Sequence, residues 1–134
     1  MDITPDYNAA PRNFHFNLPK YHDVIERCFE CATSCWISAD AFISERDFSS
    51  LAEAINACLT CAEVCAQTVK VMVAHENFTD SEVPTQLKAC VDACLRCVKE
   101  ISQHCGDHEH CLICVKTCEE CLRLCESYIK DFAA

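Results

Sequence analysis

Fifteen of the 134 residues are Cys, and it is their spacing that gives them chemistry. They fall at Cys28, Cys31 and Cys35; at Cys58, Cys61 and Cys65; at Cys90, Cys94 and Cys97, with Cys105 beyond them; and at Cys111, Cys114, Cys118, Cys121 and Cys125. Within each group the steps alternate between three and four, which puts the members on one face of an α-helix. Side chains so spaced stand roughly 5–6 Å apart at Cβ, so two sulfurs of one CxxC can close on one small soft ion. From Cys111 to Cys125 is about 21 Å of helix axis. Such thiols line a tube, not a point. A single tetrahedral zinc site would use four of them and leave the rest idle.

Cu(I) suits this array best. It is soft, it accepts two or three sulfurs, and thiolates bridge neighbouring ions. Each Cu(I) that replaces one thiol proton leaves the core's charge unchanged, so filling the tube builds up no repulsion. Zn(II) adds charge unless two or more thiols deprotonate for each ion. Ferredoxin-type clusters are wrapped by loops, whereas the C-x2-C-x3-C runs here are helical on both sides. The expected load is about one Cu(I) per thiol, on the order of 15 per chain, with protons released on binding. A Zn(II) thiolate buffer and a thiol redox or electron-transfer protein are the alternatives. Burial of the seam weighs against the second, since redox Cys are usually partly exposed. Free thiols are expected throughout: partners within one helix are poorly aimed, and partners across a bundle sit on axes roughly 8–10 Å apart. The odd count excludes complete internal pairing.

Three histidines, His104, His108 and His110, cluster where the third and fourth Cys groups meet. They read either as ordinary surface histidines near helix ends or as a mouth that takes in copper or holds it at the rim. Met72 and His75 lie at the opposite end, where Met72 is better explained as core filling than as a thioether ligand. His15 and His22 give no clear signal.

The elements that must position these groups are four helices, at about 19–45, 48–75, 81–105 and 108–131. The fold class is all-α, an antiparallel four-helix bundle over residues 19–134, preceded by an irregular arm over 1–18 that carries Pro5 and Pro11. The second helix is expected to start at Asp47 or Ser50, where Ser50 and Glu53 have capping-box spacing. The third starts near Ser81 and stops at Gly106, the only glycine, with Asp107 as N-cap of the fourth. The Cys phase continues through Tyr21, Val24, Ser38 and Phe42; Leu51, Ala54, Thr68 and Met72; Val83, Leu87, Ile101 and His104; and Tyr128 and Phe132. Cys therefore occupies core positions where Leu would normally sit, and bulkier groups close the ends. A second stripe (Ile25, Phe29, Ala32, Trp36 and Ile43, then Ile55, Leu59, Ala62, Ala66, Val69 and Val73) makes the first two helices apolar over a wide arc. It reads as packing between helices or as an oligomer interface.

Composition narrows the partners. Eleven Lys and Arg face 21 Asp and Glu, for a net charge of −10. That balance argues against nucleic acid, whose binding needs cations on phosphates. The apolar runs are too short for a membrane span. The first residues show no basic segment, apolar stretch or twin-Arg pair, so the cytosol is the expected compartment, where thiols stay reduced.

With these motifs the sequence resembles the copper storage proteins of the cytosolic type. The resemblance rests on CxxCxxxC at 28–35 and 58–65, CxxxCxxC at 90–97, the stretch from His104 to His110, and CxxCxxxCxxCxxxC over 111–125, and it covers about residues 20–130. It implies a four-helix bundle filled with many Cu(I) ions held mostly by Cys pairs, His ligands at the open end, a homotetramer, and no enzymatic activity. A copper chaperone would be its natural partner. Ser38, Ala54, Thr68 and Ile101 stand at seam positions where further Cys could sit, which implies a smaller capacity than in the most Cys-rich members.

Overall fold

The computed structural model describes residues 20–45, 47–106 and 108–133. The proposed arm at 1–18, the expected first-helix start at 19 and Asp107 as an N-cap lie outside them. Four helices account for nearly all of the described chain: α1 (His22–Ile43), α2 (Ala52–Val73), α3 (Glu82–Ser102) and α4 (Glu109–Ala133). Short 3-10 turns at Phe48–Leu51 and His75–Asn77 flank α2. Each helix packs on its two neighbours around a square, α1 on α2 and α4, and α3 on α2 and α4. The short connections make successive helices antiparallel, as expected for an up-down bundle.

The ends differ in detail from the sequence expectations. Ser50 does not form a capping box with Glu53. It sits inside the 3-10 turn, and its hydroxyl donates to the Asp47 carbonyl at 2.9 Å. The capping box forms instead at the start of α3. There the Thr79 N–H donates to Glu82 Oε2 at 2.9 Å, and the Glu82 N–H donates to Thr79 Oγ1 at 3.3 Å. Pro84 falls in the first turn of α3, where its missing N–H has no helical acceptor to lose. α3 ends at Ser102, earlier than the expected 105, so Cys105 belongs to the connection. Gly106 has φ of +50° and lets the chain fold back, so that the His108 N–H reaches the Cys105 carbonyl at 2.8 Å.

The seam positions are buried as their phase requires. Val24, Phe42, Ala54, Met72, Leu87 and Ile101 have no exposed surface, while His104, Tyr128 and Phe132 at the ends are half-buried. The second stripe divides. Ile25, Ala32, Ala62 and Val69 pack between helices, whereas Phe29, Trp36, Ile43, Leu59 and Val73 remain exposed. No helix among the described residues is long and apolar enough to cross a membrane.

One end of the bundle is plugged. Tyr21 stacks edge-on against His75 and Tyr128, with ring centroids 4.9 and 5.6 Å away. Met72 is fully buried among the plug residues, and the Met72 carbonyl bonds His75 Nδ1 at 3.1 Å. Thr68, a polar seam residue, is satisfied locally: its hydroxyl donates to the Val64 carbonyl and accepts from Gln86 Nε2.

Candidate metal centre

The four seams meet on the bundle axis. α1 and α3 lie on a diagonal, yet their sulfurs touch across it: Cys28 to Cys90 at 4.0 Å, Cys31 to Cys94 at 3.8 Å and Cys35 to Cys97 at 3.9 Å. Small side chains make this possible, because a thiol on each helix fills the centre without pushing the helices apart. The α4 thiols interleave in the opposite sense, with Cys121 against Cys28 at 3.8 Å and Cys114 against Cys35 at 3.7 Å.

Four groups of four sulfurs follow one another along the axis. From the plugged end they are Cys28, Cys90, Cys121 and Cys125; Cys31, Cys65, Cys94 and Cys121; Cys31, Cys35, Cys61 and Cys118; and Cys35, Cys97, Cys114 and Cys118. In each, the sulfurs all lie within 4.8 Å of one another. Successive groups share corners at Cys121, Cys31, and Cys35 with Cys118, so they form one ladder of donors. Cys58 stands beside it, 3.9 Å from Cys97.

The thiols perturb one another. Cys35 is held above the ordinary thiol range, foremost by the hydrogen bond with Cys114, and Cys94 likewise by Cys118. Cys121 does the same to Cys65 and Cys125. Their neighbours move the other way: the Cys118 thiol lowers Cys61 and Cys114, and the Cys125 thiol lowers Cys121. An anionic sulfur is held by S–H donors around it, and it then resists ionisation of those donors. A metal-free group thus keeps some of its thiols protonated and cannot ionise all four. Cu(I) lifts that limit, since each ion brings the charge that a departing proton removes.

Thirteen of the fifteen cysteines are free and fully buried. The other two depart from the expectation of free thiols throughout. Cys105 and Cys111 are joined in a disulfide, with Cα atoms 5.1 Å apart. The arguments against bridging applied to pairs within one helix or across the bundle. Cys105 is in neither position, because the connection carries it back over the start of α4.

This disulfide lies at the end of the bundle opposite the aromatic plug, among the histidines. His108 and His110 come together with Glu45, at the end of α1, so that two ring nitrogens and a carboxylate oxygen lie within 4.8 Å of one another. His104 is half-buried on the α3 side and is not part of that cluster. Sequence reasoning missed Glu45, which lies about sixty residues away on the other hairpin. It also read Ser38 only as a missing Cys. Ser38 is fully buried, and its hydroxyl donates to the His110 carbonyl at 3.0 Å. The same oxygen lies 3.3 Å from His110 Nδ1, and the Phe42 ring meets the His110 ring edge-on at 5.0 Å.

A helical bundle whose interior is a ladder of thiols, plugged at one end and rimmed by imidazole and carboxylate at the other, defines a container for soft monovalent metal ions. The comparisons with known proteins agree. Residues 18–130 match the sequence profile of the copper storage proteins, and the chain belongs to that family. It is similar to a cytosolic copper storage protein from Streptomyces lividans with five coppers, at 34% identity over 80% of this chain and 89% of the other, with a TM-score of 0.77. It is also similar to the Streptomyces lividans protein loaded with 10 copper equivalents, at 31% identity over 89% and 94% of the two chains and a TM-score of 0.79. An uncharacterised cysteine-rich protein of Bacillus subtilis, YhjQ, is 34% identical over 104 residues, which is 77% of this chain and 90% of the other.

Proposed function

We propose that this protein is a cytosolic Cu(I) store that loads many ions along its thiol ladder, a role in which holding Cu(I) itself needs no catalysis. One observation carries the reading: the four-sulfur groups are contiguous and share corners, so an ion at one group touches ligands of the next. Thiolates select Cu(I) among the available metals, and bridging sulfurs let ions outnumber pairs. The cytosolic setting is supported by the description of the Streptomyces lividans relative as cytosolic.

The ligands are the thirteen buried free thiols, joined by Cys105 and Cys111 when these are reduced, with His104, His108 and His110 serving at the rim. At about one Cu(I) per thiol, the load is about 13 per chain with the rim disulfide intact and about 15 without it. An anaerobic Cu(I) titration against a strong chelator tests this. A plateau at one or two ions would end the storage reading, and tighter retention of Zn(II) than of Cu(I) would favour the zinc buffer.

The chain assembles as a homotetramer through its first hairpin. Phe29, Trp36, Ile37, Ile43, Phe48 and Leu59 are each 40% exposed or more, far more apolar surface than a lone bundle of this size needs to show. Light scattering after size exclusion checks the assembly, and a monomer would remove it. A copper chaperone supplies the ions.

A further inference from the structure

The rim differs from the ladder in its chemistry. The ladder offers sulfur alone, which suits Cu(I). The rim offers Glu45, His108 and His110, and carboxylate with imidazole suits Cu(II) in a tetragonal arrangement. Directly beside that trio stands the one pair of bonded sulfurs among the described residues. Cys111 follows His110 in the chain, and the His108 N–H donates to the Cys105 carbonyl at 2.8 Å.

We propose that the rim captures Cu(II) and reduces it, with the Cys105–Cys111 pair as electron donor, before the ion passes to the thiols; this rests on the storage reading and adds an activity to it. The reaction balances as two Cu(II) plus two thiols giving two Cu(I), one disulfide and two protons. Each thiol gives up one electron and its proton. Two S–H bonds break, one S–S bond forms, and the protons leave through the half-exposed imidazoles to solvent. The bonded pair seen here is the spent state. A low-molecular-weight thiol resets it by exchange, becoming a disulfide itself and returning two S–H groups to the rim.

Two further features support the assignment. First, the inner thiols are poorly placed to do the same work. Their closest approaches are 3.6–3.8 Å, and each sulfur is fixed on a packed helix. A bridge between helices of the ladder would have to draw together axes that stand roughly 8–10 Å apart, whereas the loop-borne Cys105 meets Cys111 with Cα atoms 5.1 Å apart. Second, the trio is oriented. A serine hydroxyl has one proton, and Ser38 gives it to the His110 carbonyl. Its oxygen can then only accept from His110 Nδ1–H, which leaves Nε2 bare as a metal ligand. Ser38 is therefore a positioning residue for the rim site.

The test uses fully reduced, desalted, full-length protein under anaerobic conditions, mixed with two equivalents of copper(II) sulfate. Loss of the Cu(II) electron paramagnetic resonance signal is followed in time, and disulfides are mapped by mass spectrometry. In the native chain the signal should vanish as the Cys105–Cys111 bridge appears, one bridge for two ions. In the C105S/C111S variant, which keeps all thirteen ladder thiols, reduction should be at least about tenfold slower, since the remaining thiols are buried away from the ion. The lingering Cu(II) signal should show coupling to nitrogen, and adding Ser38→Ala should alter that coupling. Equal rates in the two proteins, or bridges mapped within the ladder, would overturn the proposal. A parallel titration with Cu(I) separates the two readings. If the native chain loads about 15 Cu(I) and the variant about 13 but the two reduce Cu(II) equally fast, the rim activity fails and storage stands. If neither loads Cu(I), storage itself fails. An unchanged far-UV circular dichroism spectrum and cooperative urea unfolding certify that the variant is folded.

Discussion

Replacing Cys31 by Ser should lower copper capacity by more than one ion, and replacing Cys58 by Ser should not. Cys31 belongs to two of the four-sulfur groups. Its sulfur lies 3.9 Å from Cys61, 3.8 Å from Cys94 and 3.6 Å from Cys118. Cys58 belongs to none of the groups, and it meets the ladder at its edge, at Cys114 and at Cys97, the latter 3.9 Å away. A Cu(I) ion needs two or three sulfurs, so every ion that bridges through Cys31 is left short, and the loss should be about two to three ions against about one for Cys58. The fold should survive both changes. Ser is close to Cys in shape, and its hydroxyl can donate to the carbonyl four residues back, as Thr68 does to Val64 at 2.7 Å. Replacing a buried thiol by one satisfied hydroxyl should cost about 1–2 kcal/mol. Chelator-competed Cu(I) titration gives the capacities, and urea unfolding of the metal-free proteins gives the stabilities. Equal losses of one ion from each variant would refute the shared-corner ladder and leave fifteen independent sites. Loss of cooperative unfolding in Cys31→Ser alone would mean that the substitution broke the bundle rather than the ligand set.

The raised thiols make the metal-free protein sensitive to alkali. Cys35, Cys65, Cys94 and Cys125 are held above their unfolded value, so their contribution is intact below about pH 8.5 and is lost progressively as pH rises beyond it. Urea midpoints of the metal-free form should fall between pH 8.5 and 10 while those of the copper-loaded form hold, and a flat metal-free profile would contradict the assignment. Met72→Leu should leave both copper capacity and stability nearly unchanged, within about 1.5 kcal/mol, because Met72 fills the plug and binds nothing; a lost ion in the titration would make it a ligand. Gly106→Ala should cost about 1 kcal/mol in thermal unfolding through its φ of +50° alone, since nothing stands within 4 Å of an added Cβ. A cost above about 3 kcal/mol would point to a contact that the geometry does not contain.

The sequence carried the bundle and the ladder because both follow from one periodicity. A Cys every three or four residues can only be a stripe, four stripes can only meet on an axis, and Val24, Leu87 and Ile101 extend the same phase into the plug and the rim. The rim was less legible because its geometry is tertiary. Glu45 joins His108 only when the two hairpins close at the same end, and no local pattern marks it. Ser38 looked like a lost ligand because phase records that a position is inward, not what its hydroxyl meets. The caps show the same limit. Ser50–Glu53 and Thr79–Glu82 have the same spacing, and the difference lies in the 3-10 turn at Phe48–Leu51, which takes Ser50 out of the capping position. Cys105 escaped because a helix ending at Ser102 rather than at 105 moves it from a seam to a loop, where bridging becomes possible.

The fold solves a problem that a metal-nucleated protein does not face. A store must hold its shape when empty, yet the thiols it will use are buried. Free Cys meets both needs, being a small hydrophobe when protonated and a soft ligand when not. The thirteen inner thiols therefore pack as a core, and the apolar plug around Tyr21, Met72 and Leu87 supplies the bulk that thiols lack. The plug also sets direction. Under the proposed storage role, ions would enter and leave past Glu45, His108 and His110, and the shared corners would let each arrival move inward by exchanging one sulfur at a time. The acidic surface favours cations near that mouth. Filling then runs from rim to plug with the charge of the core held constant, so the last ion meets no more repulsion than the first.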